Sequence, residues 1–297
     1  MQLLIISLET DDLEVCNMLN RILIGVIGFI AAICIISSDV CVLSIALSII
    51  TFIAICEMHK TVGLFKKNNI VLSLMGIIYS LCLIGTSVYS VFTKTLGYES
   101  FAKVFLPATV FYMIATGIFA VLSFEKTDFE TWVASFFTTL YTNLMFLHLL
   151  LIVMLPYGKI ILWIVLLISW GTDTFAYFTG KFFGKHKLIE KVSAKKTVEG
   201  AIGGVVGAIF VLVIYALGCA YFNYTVNYVN MIIIAFFGSV ISQFGDLIAS
   251  CIKRHYNTKD YSNILLGHGG IMDRFDSVLV VAPYVYYICL ILPIITK

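Results

Sequence analysis

Charge is what this sequence has least of. Asp, Glu, Lys and Arg make up 12% of its 297 residues, against 61% hydrophobic. A soluble domain carries roughly 25% charged residues, so the shortage excludes a chain whose whole surface faces water. The eight cysteines are scattered, mostly inside apolar runs, with no C-x-x-C pair. That excludes a zinc or disulfide framework and leaves them as small core residues in a reducing or lipid setting. A basic leader is missing too. The first residues carry Glu9, Asp11, Asp12 and Glu14, where a cleavable signal would be basic. The apolar segments do not alternate with polar residues, which excludes a membrane β-barrel. No internal repeat is visible.

What the sequence does have is a series of long apolar runs. About 20 such residues cross a bilayer core as a helix. The runs place spans at 20–38, 40–56, 70–92, 103–124, 132–155, 160–180, 201–222, 230–249 and 277–295. The expected fold is therefore all-α: a polytopic integral membrane protein of about nine transmembrane helices. With the N-terminus cytoplasmic, 15 Lys and Arg fall on the inner side and only Lys94, Lys103, Lys159 and Lys297 on the outer. Such a bias fits the positive-inside rule.

Composition divides the chain in two. Residues 1–156 hold N-terminal spans with short loops and no reactive grouping, suited to lipid contact, packing and oligomerisation; His148 reads there as a core histidine. Residues 157–297 hold two charged loops, 181–199 and 250–276, and most of the polar residues inside spans. Between the loops, "GAIGGVVGA" at 200–208 has overlapping small-xxx-small spacing, a pattern of close helix packing.

Three stretches of the second region carry chemistry. Asp173 lies inside the sixth span, where an ionisable group costs roughly 2.5–3.5 kcal/mol on insertion and so marks a functional candidate. The nearby "GKFFGKH" is no P-loop, because it has three residues between the glycines and lacks the following Ser or Thr. In "SQFGDLIASCIKR", Asp246, Ser250 and Lys253 fall at i, i+4 and i+7, on one helical face. Carboxylate, hydroxyl and amine on one stripe suit a metal–phosphate site; the plainer account is a local Asp–Lys pair with a snorkelling lysine. In "GHGGIMDRFDS" at 267–277, glycines let backbone N–H groups approach an anion. Asp273 and Asp276, three apart, can share a face. Alone, this stretch could equally be a capped helix entry with solvated charges. All four aspartates come from three spans yet reach one membrane face, with Lys195, Lys196, Lys253 and Arg254 beside them. Carboxylates hold metal, metal and lysines hold polyphosphate, and a membrane slot admits lipid. An ion-coupled transporter is the competing class, but its acidic groups would sit at mid-depth and internal repeats would be common.

The run "SCIKRHYNTKDYSNILLGHGGIMDRFDS" closely resembles the signature of phosphatidate cytidylyltransferases, the CDP-diacylglycerol synthases. The matching residues are Ser250, Lys253, Arg254, Lys259, Asp260, His268, Gly269, Gly270, Asp273, Arg274 and Asp276. Upstream, "SAKKTVEG" resembles that family's lysine loop through Ser193, Lys195, Lys196, Thr197, Glu199 and Gly200. "DTFAYFTGKFFGKHK" is similar to its Asp…Ala-Tyr…Gly…Gly-Lys stretch. Ala194 and Leu266 stand where the family usually or often has proline, which loosens a loop without removing a charged group. The resemblance covers roughly the C-terminal half.

It implies cytidylyl transfer from CTP to phosphatidic acid, with Mg²⁺ and a second cation such as K⁺, in a homodimer. The short N-terminus suggests a bacterial plasma membrane, and the Lys and Arg bias puts the active site on its cytoplasmic face. The expected catalytic residues are Asp246, Lys253, Asp273 and Asp276, with Asp246, Asp273 and Asp276 as metal ligands. Substrate contacts are expected from Asp173, Ser193, Lys195, Lys196, Thr197, Glu199, Ser250, Arg254, Lys259, His268, Gly269, Gly270 and Arg274. A near alternative keeps the chemistry and changes the lipid, for example to an isoprenoid ether phosphate.

Overall fold

An apolar run in lipid must satisfy its own backbone hydrogen bonds, and the helix does so within one segment. The computed structural model describes residues 25–93, 95, 98–265 and 269–296, with backbone alone for 98–101. Its helices are α1 (Gly25–Ser37), α2 (Val40–Thr61), α3 (Ile70–Phe92), α4 (Tyr98–Leu122), α5 (Phe129–Val153), α6 (Gly158–Phe183), α7 (Val198–Tyr221), α8 (Tyr228–His255) and α9 (Met272–Ile291). The last eight are long and apolar enough to span a membrane. The described part of the expected first span is α1; residues 20–24 of that span lie outside the described residues. The all-α polytopic fold expected from composition is the fold observed.

Several helices outrun their apolar cores. α2 continues to Thr61, α6 to Phe183 and α8 to His255. Basic residues fill their last turns, His59 and Lys60 in α2 and Lys253, Arg254 and His255 in α8, where positive charge favours the helix dipole. α9 begins at Met272 rather than 277, so Asp273 and Asp276 lie in its first turns. It ends at Ile291, just before Pro293. The 181–199 segment is more than a loop. It folds into an antiparallel ribbon of β1 (Lys187–Ile189) and β2 (Ser193–Thr197). A second short ribbon pairs β3 (Thr225–Val226) with β4 (Ile295–Thr296).

The helix ends sort into two groups. At one end, Lys159 Nζ donates to the Ser37 and Ser38 carbonyls, Asn227 N donates to Ile294 O at 2.9 Å, and the Tyr157 and Tyr224 rings meet. At the other end, Glu57, Lys196, Asp246 and residues 261–276 make mutual contacts. The alternation counted from the sequence is thus present in the contacts.

One continuous buried core runs through both compositional regions, from Leu43 and Met58 through Phe146 and Ile164 to Met231 and Val281. The small-residue stripe does what its spacing implies. A Cβ at Gly203 would overlap Thr179, and one at Gly207 would overlap the Phe175 ring, so α7 lies hard against α6. The N-terminal helices are joined differently, by buried polar groups. His59 bonds Ser73 Oγ at 3.1 Å and Thr139 Oγ1 at 2.9 Å, Tyr112 OH reaches Thr139, and Asn143 Nδ2 donates to Ser80 Oγ. These bonds tie α2, α3, α4 and α5 together where lipid gives no hydrophobic reason to associate. His148 is a core residue, 2% exposed, with Nδ1 on the Leu144 carbonyl.

Candidate active site

Asp173 lies ten residues before the end of α6. The polypeptide then leaves α6 at Gly184, runs through the β1–β2 ribbon and enters α7. Thr197 caps α7, its Oγ1 accepting from Gly200 N at 3.1 Å. Gly180, Gly184 and Gly200 leave room for that cap; a Cβ on Gly180 would come within 2.9 Å of Thr197 Oγ1. The tight turn swings β2 over α8, so Lys196 Nζ meets Asp246 Oδ2 at 2.5 Å. Thr172 Oγ1 donates to Ser239 Oγ at 2.8 Å and Gln243 Nε2 to Ala201 O at 3.1 Å, fixing α8 against α6 and α7.

The result is a cleft of about 320 Å³, lined among others by Asp173, Lys181, Lys195, Lys196, Thr197 and Asp246. It opens onto the first turn of α7, where Val198 N is paired with His186 O and Gly200 N with Thr197 Oγ1, and the positive end of the helix dipole there favours an anion. Asp246, Lys196 and Arg274 act on Asp173 through space, and Ser277 Oγ lies 3.5 Å from Asp173 Oδ2. Asp276, one residue before it, feels Asp246, Lys253 and Asp173. Three carboxylates from three helices therefore share one region with Lys196 and Arg274. Ser250 Oγ sits 3.5 Å from Asp246 Oδ1, as the shared helical face requires.

Asp273 belongs to a second, closed arrangement. Its Oδ1 accepts from Lys253 Nζ at 2.8 Å, and its Oδ2 accepts from the backbone N–H groups of Tyr261 at 2.8 Å and Gly270 at 2.9 Å. The carboxylate is 4% exposed and the lysine 13%. Lys253 also lies 5.2 Å from the centre of the Tyr261 ring, a favourable cation–π distance. Burial pushes the Tyr261 hydroxyl well above its ordinary value, so it stays a neutral donor, to Ala249 O at 3.1 Å. Gly269 takes a positive φ of 79°, a conformation other residues rarely adopt. The glycines of this signature serve to fold the loop back onto Asp273.

Other expected site residues fall at the margins. Glu199 braces the ribbon instead of lining the cleft, accepting from His186 Nδ1 at 2.6 Å and from the N–H groups of Lys185 and His186. Arg254 and Lys259 are exposed and Ser193 is half-buried, and none of the three lines the cleft. His268 lies outside the described residues. A larger recess of about 730 Å³ on the other flank of α8 is lined by Lys60, Lys66, Asp128, Glu130 and His255, and it contains none of the clustered aspartates.

One side chain of residues 1–156 reaches into the second region. Glu57 of α2 is 2% exposed. Its Oε1 accepts from Ser262 Oγ at 2.5 Å and Ile271 N at 3.0 Å, and its Oε2 from Met272 N at 2.8 Å. Hydropathy ends the second span at residue 56, just short of Glu57, whereas α2 runs on to Thr61 and holds that carboxylate inside the helix.

For a cation, the donor set is open. Among the described residues no three His, Cys, Asp or Glu side chains are grouped closely enough to hold a metal. One or two carboxylates beside an anion-friendly helix end instead suit Mg²⁺, which completes its octahedron with water and phosphate oxygens.

The chain is 45% identical over 132 residues to the phosphatidate cytidylyltransferase of Bacillus subtilis (strain 168), covering 44% of this chain and 48% of that one. It is 46% identical over 118 residues to the enzyme of that name from Staphylococcus aureus (strain COL), covering 39% and 44%. For the Staphylococcus haemolyticus protein of that name the identity is 41% over 117 residues, again covering 39% and 44%. The matched stretch thus spans about half the length of these relatives. A model of the cytidylyltransferase family matches residues 19–292, nearly the whole chain, and the protein belongs to that family.

Proposed function

We propose that the protein transfers the cytidylyl group of CTP to phosphatidic acid, giving CDP-diacylglycerol and pyrophosphate. The observation that carries this is the charge cluster in which Asp173, Asp246 and Asp276 act on one another with Lys196 and Arg274 nearby, with Asp173, Asp246 and Lys196 lining the cleft at the start of α7. Family membership and the printed names of the relatives support it.

A phosphate oxygen of the lipid attacks the α-phosphorus of CTP, a new P–O bond forms, and the bond to the β-phosphate oxygen breaks. That attacking oxygen is already anionic, so little base catalysis is needed. The work of the side chains is positioning and charge neutralisation. Lys195 and Lys196 attract the triphosphate and steady pyrophosphate as it leaves. Asp246 and Asp276 would hold Mg²⁺, which neutralises phosphate charge. Lys253 takes a phosphate oxygen by exchanging it for Asp273, which frees Asp273 Oδ1 as a further cation ligand. Ser250 lies on the same stripe. The reading includes a second cation such as K⁺, a homodimer, and a site on the cytoplasmic side of a bacterial plasma membrane, the side given by the positive-inside bias.

The test is pyrophosphate release from detergent-purified protein given phosphatidic acid, Mg²⁺ and one of CTP, ATP, GTP or UTP. Release with CTP alone, abolished by EDTA and restored by Mg²⁺, is expected. Turnover that does not need the lipid, or equal turnover with all four nucleotides, would contradict the proposal.

A further inference from the structure

α9 carries Asp273 and Asp276, yet its start has no cap of its own. Ile271 occupies the N-cap position and its side chain offers no acceptor. A helix begins with backbone N–H groups that have no partner within the helix, and leaving them buried and unpaired is costly. Here the acceptor comes from another helix. The Glu57 carboxylate takes the N–H groups of Ile271 and Met272 and the hydroxyl of Ser262. Three donors converge on a group that only accepts, and its negative charge stands at the positive end of the α9 dipole. Gly270 lets it approach so closely. A Cβ there would lie 2.5 Å from Glu57 Oε1 and 2.6 Å from Oε2.

The same few residues are gripped from the other side by Asp273, which holds Gly270 N and Tyr261 N. Glu57 thus fixes the outer edge of the turn whose inner edge is the signature aspartate. We infer that Glu57 is a positioning residue: it supplies the cap of α9 from the N-terminal half and thereby sets where Asp273 and Asp276 stand. This rests on the cytidylyl-transfer reading for its effect on turnover, but not for its effect on the loop.

The experiment compares wild type with Glu57→Gln and Glu57→Ala by steady-state kinetics and by amide hydrogen exchange. Gln keeps one acceptor and turns the other into a donor facing an N–H. For a misplacement of this kind, kcat should fall roughly 10-fold in Glu57→Gln and roughly 100-fold in Glu57→Ala, with KM for CTP within about threefold. Exchange across 261–276 should rise at least about tenfold while peptides of α6 and α7 stay unchanged. Ser262→Ala removes one donor and leaves the carboxylate in place, so it serves should Glu57→Ala not fold; exchange about threefold faster at the start of α9 is expected. Unchanged exchange over 261–276 in these variants, or faster exchange through the whole protein with kcat per folded molecule unchanged, would overturn the inference. Failure of the wild type to use CTP would sink the functional reading and leave the exchange result to judge Glu57 alone.

Discussion

The two halves of this chain solve the same problem with different means. Helices α6 and α7 come together through small residues, with Gly203 and Gly207 set against Thr179 and Phe175. Helices α2 to α5 come together through hydrogen bonds around His59, Ser73, Thr139 and Asn143. Close backbone packing leaves the polar side chains of the C-terminal half free to line a cleft. In the N-terminal half a few buried polar side chains join the helices, and most Ser and Thr hydroxyls bond their own helix. Glu57 does neither and is spent on the second half. The difference teaches that a membrane segment without an obvious charged motif can still determine how a charged motif is presented.

The sharpest break between the halves should come from Asp246→Asn. The variant keeps the shape and loses the carboxylate that faces Lys196, and turnover should drop on the order of 10³-fold with unchanged expression and monodispersity. Near-normal activity would remove Asp246 from the site. Gly270→Ala comes next, because its Cβ meets the Glu57 oxygens. It should lower kcat roughly 100-fold in the native background and much less when Glu57 is already Ala, and a double-mutant cycle reads that coupling. Additive losses would show that the two positions act independently.

A third variant, His59→Ala, should act on the first half alone. It removes two buried interhelical bonds and should cost about 1–2 kcal/mol of stability. Thermal denaturation in detergent would show the loss, with kcat per folded molecule within about twofold. Asp128 gives the smallest effect. Its carboxylate bonds the Thr131 hydroxyl and caps α5 by accepting from Thr131 N at 2.8 Å, and these bonds hold its carboxyl below the usual 3.8. A lowered value means that the contribution is complete above the ordinary carboxylate range and fades as pH falls through the lowered one. Asp128→Ala should therefore cost about 1 kcal/mol at neutral pH and nothing once the carboxyl is protonated, as paired melts at pH 7 and in acid would reveal.

Much of this was legible in the sequence. Run length gave the helices, because lipid permits few alternatives. The i, i+4, i+7 spacing of Asp246, Ser250 and Lys253 fixed their common face before any coordinates. The small-residue spacing at 200–208 marked a close-packing face on α7, but not α6 as the helix that meets it. Two things were not legible. Helix ends beyond the apolar core do not show in hydropathy, which hid Glu57 and put the start of α9 five residues late. The partners of Glu57 lie 205 to 215 residues away, and no local pattern encodes such a contact. The Ser and Thr residues of the first half were equally silent, since most bond their own helix, as Thr51 does to Leu47 O and Ser80 to Gly76 O. Nor does spacing reveal that both Asp273 oxygens are engaged by Lys253 and the loop.

The proposed reaction breaks CTP between its α- and β-phosphates and joins the cytidylyl part to a lipid phosphate. The most direct measurement is the fate of radiolabel from CTP labelled at the α- or the γ-phosphorus, incubated with phosphatidic acid and Mg²⁺ and then partitioned between organic and aqueous phases. Label from the α-position in the lipid phase and label from the γ-position in aqueous pyrophosphate is the result the account predicts. Label from the γ-position in the lipid, or from neither, would contradict it.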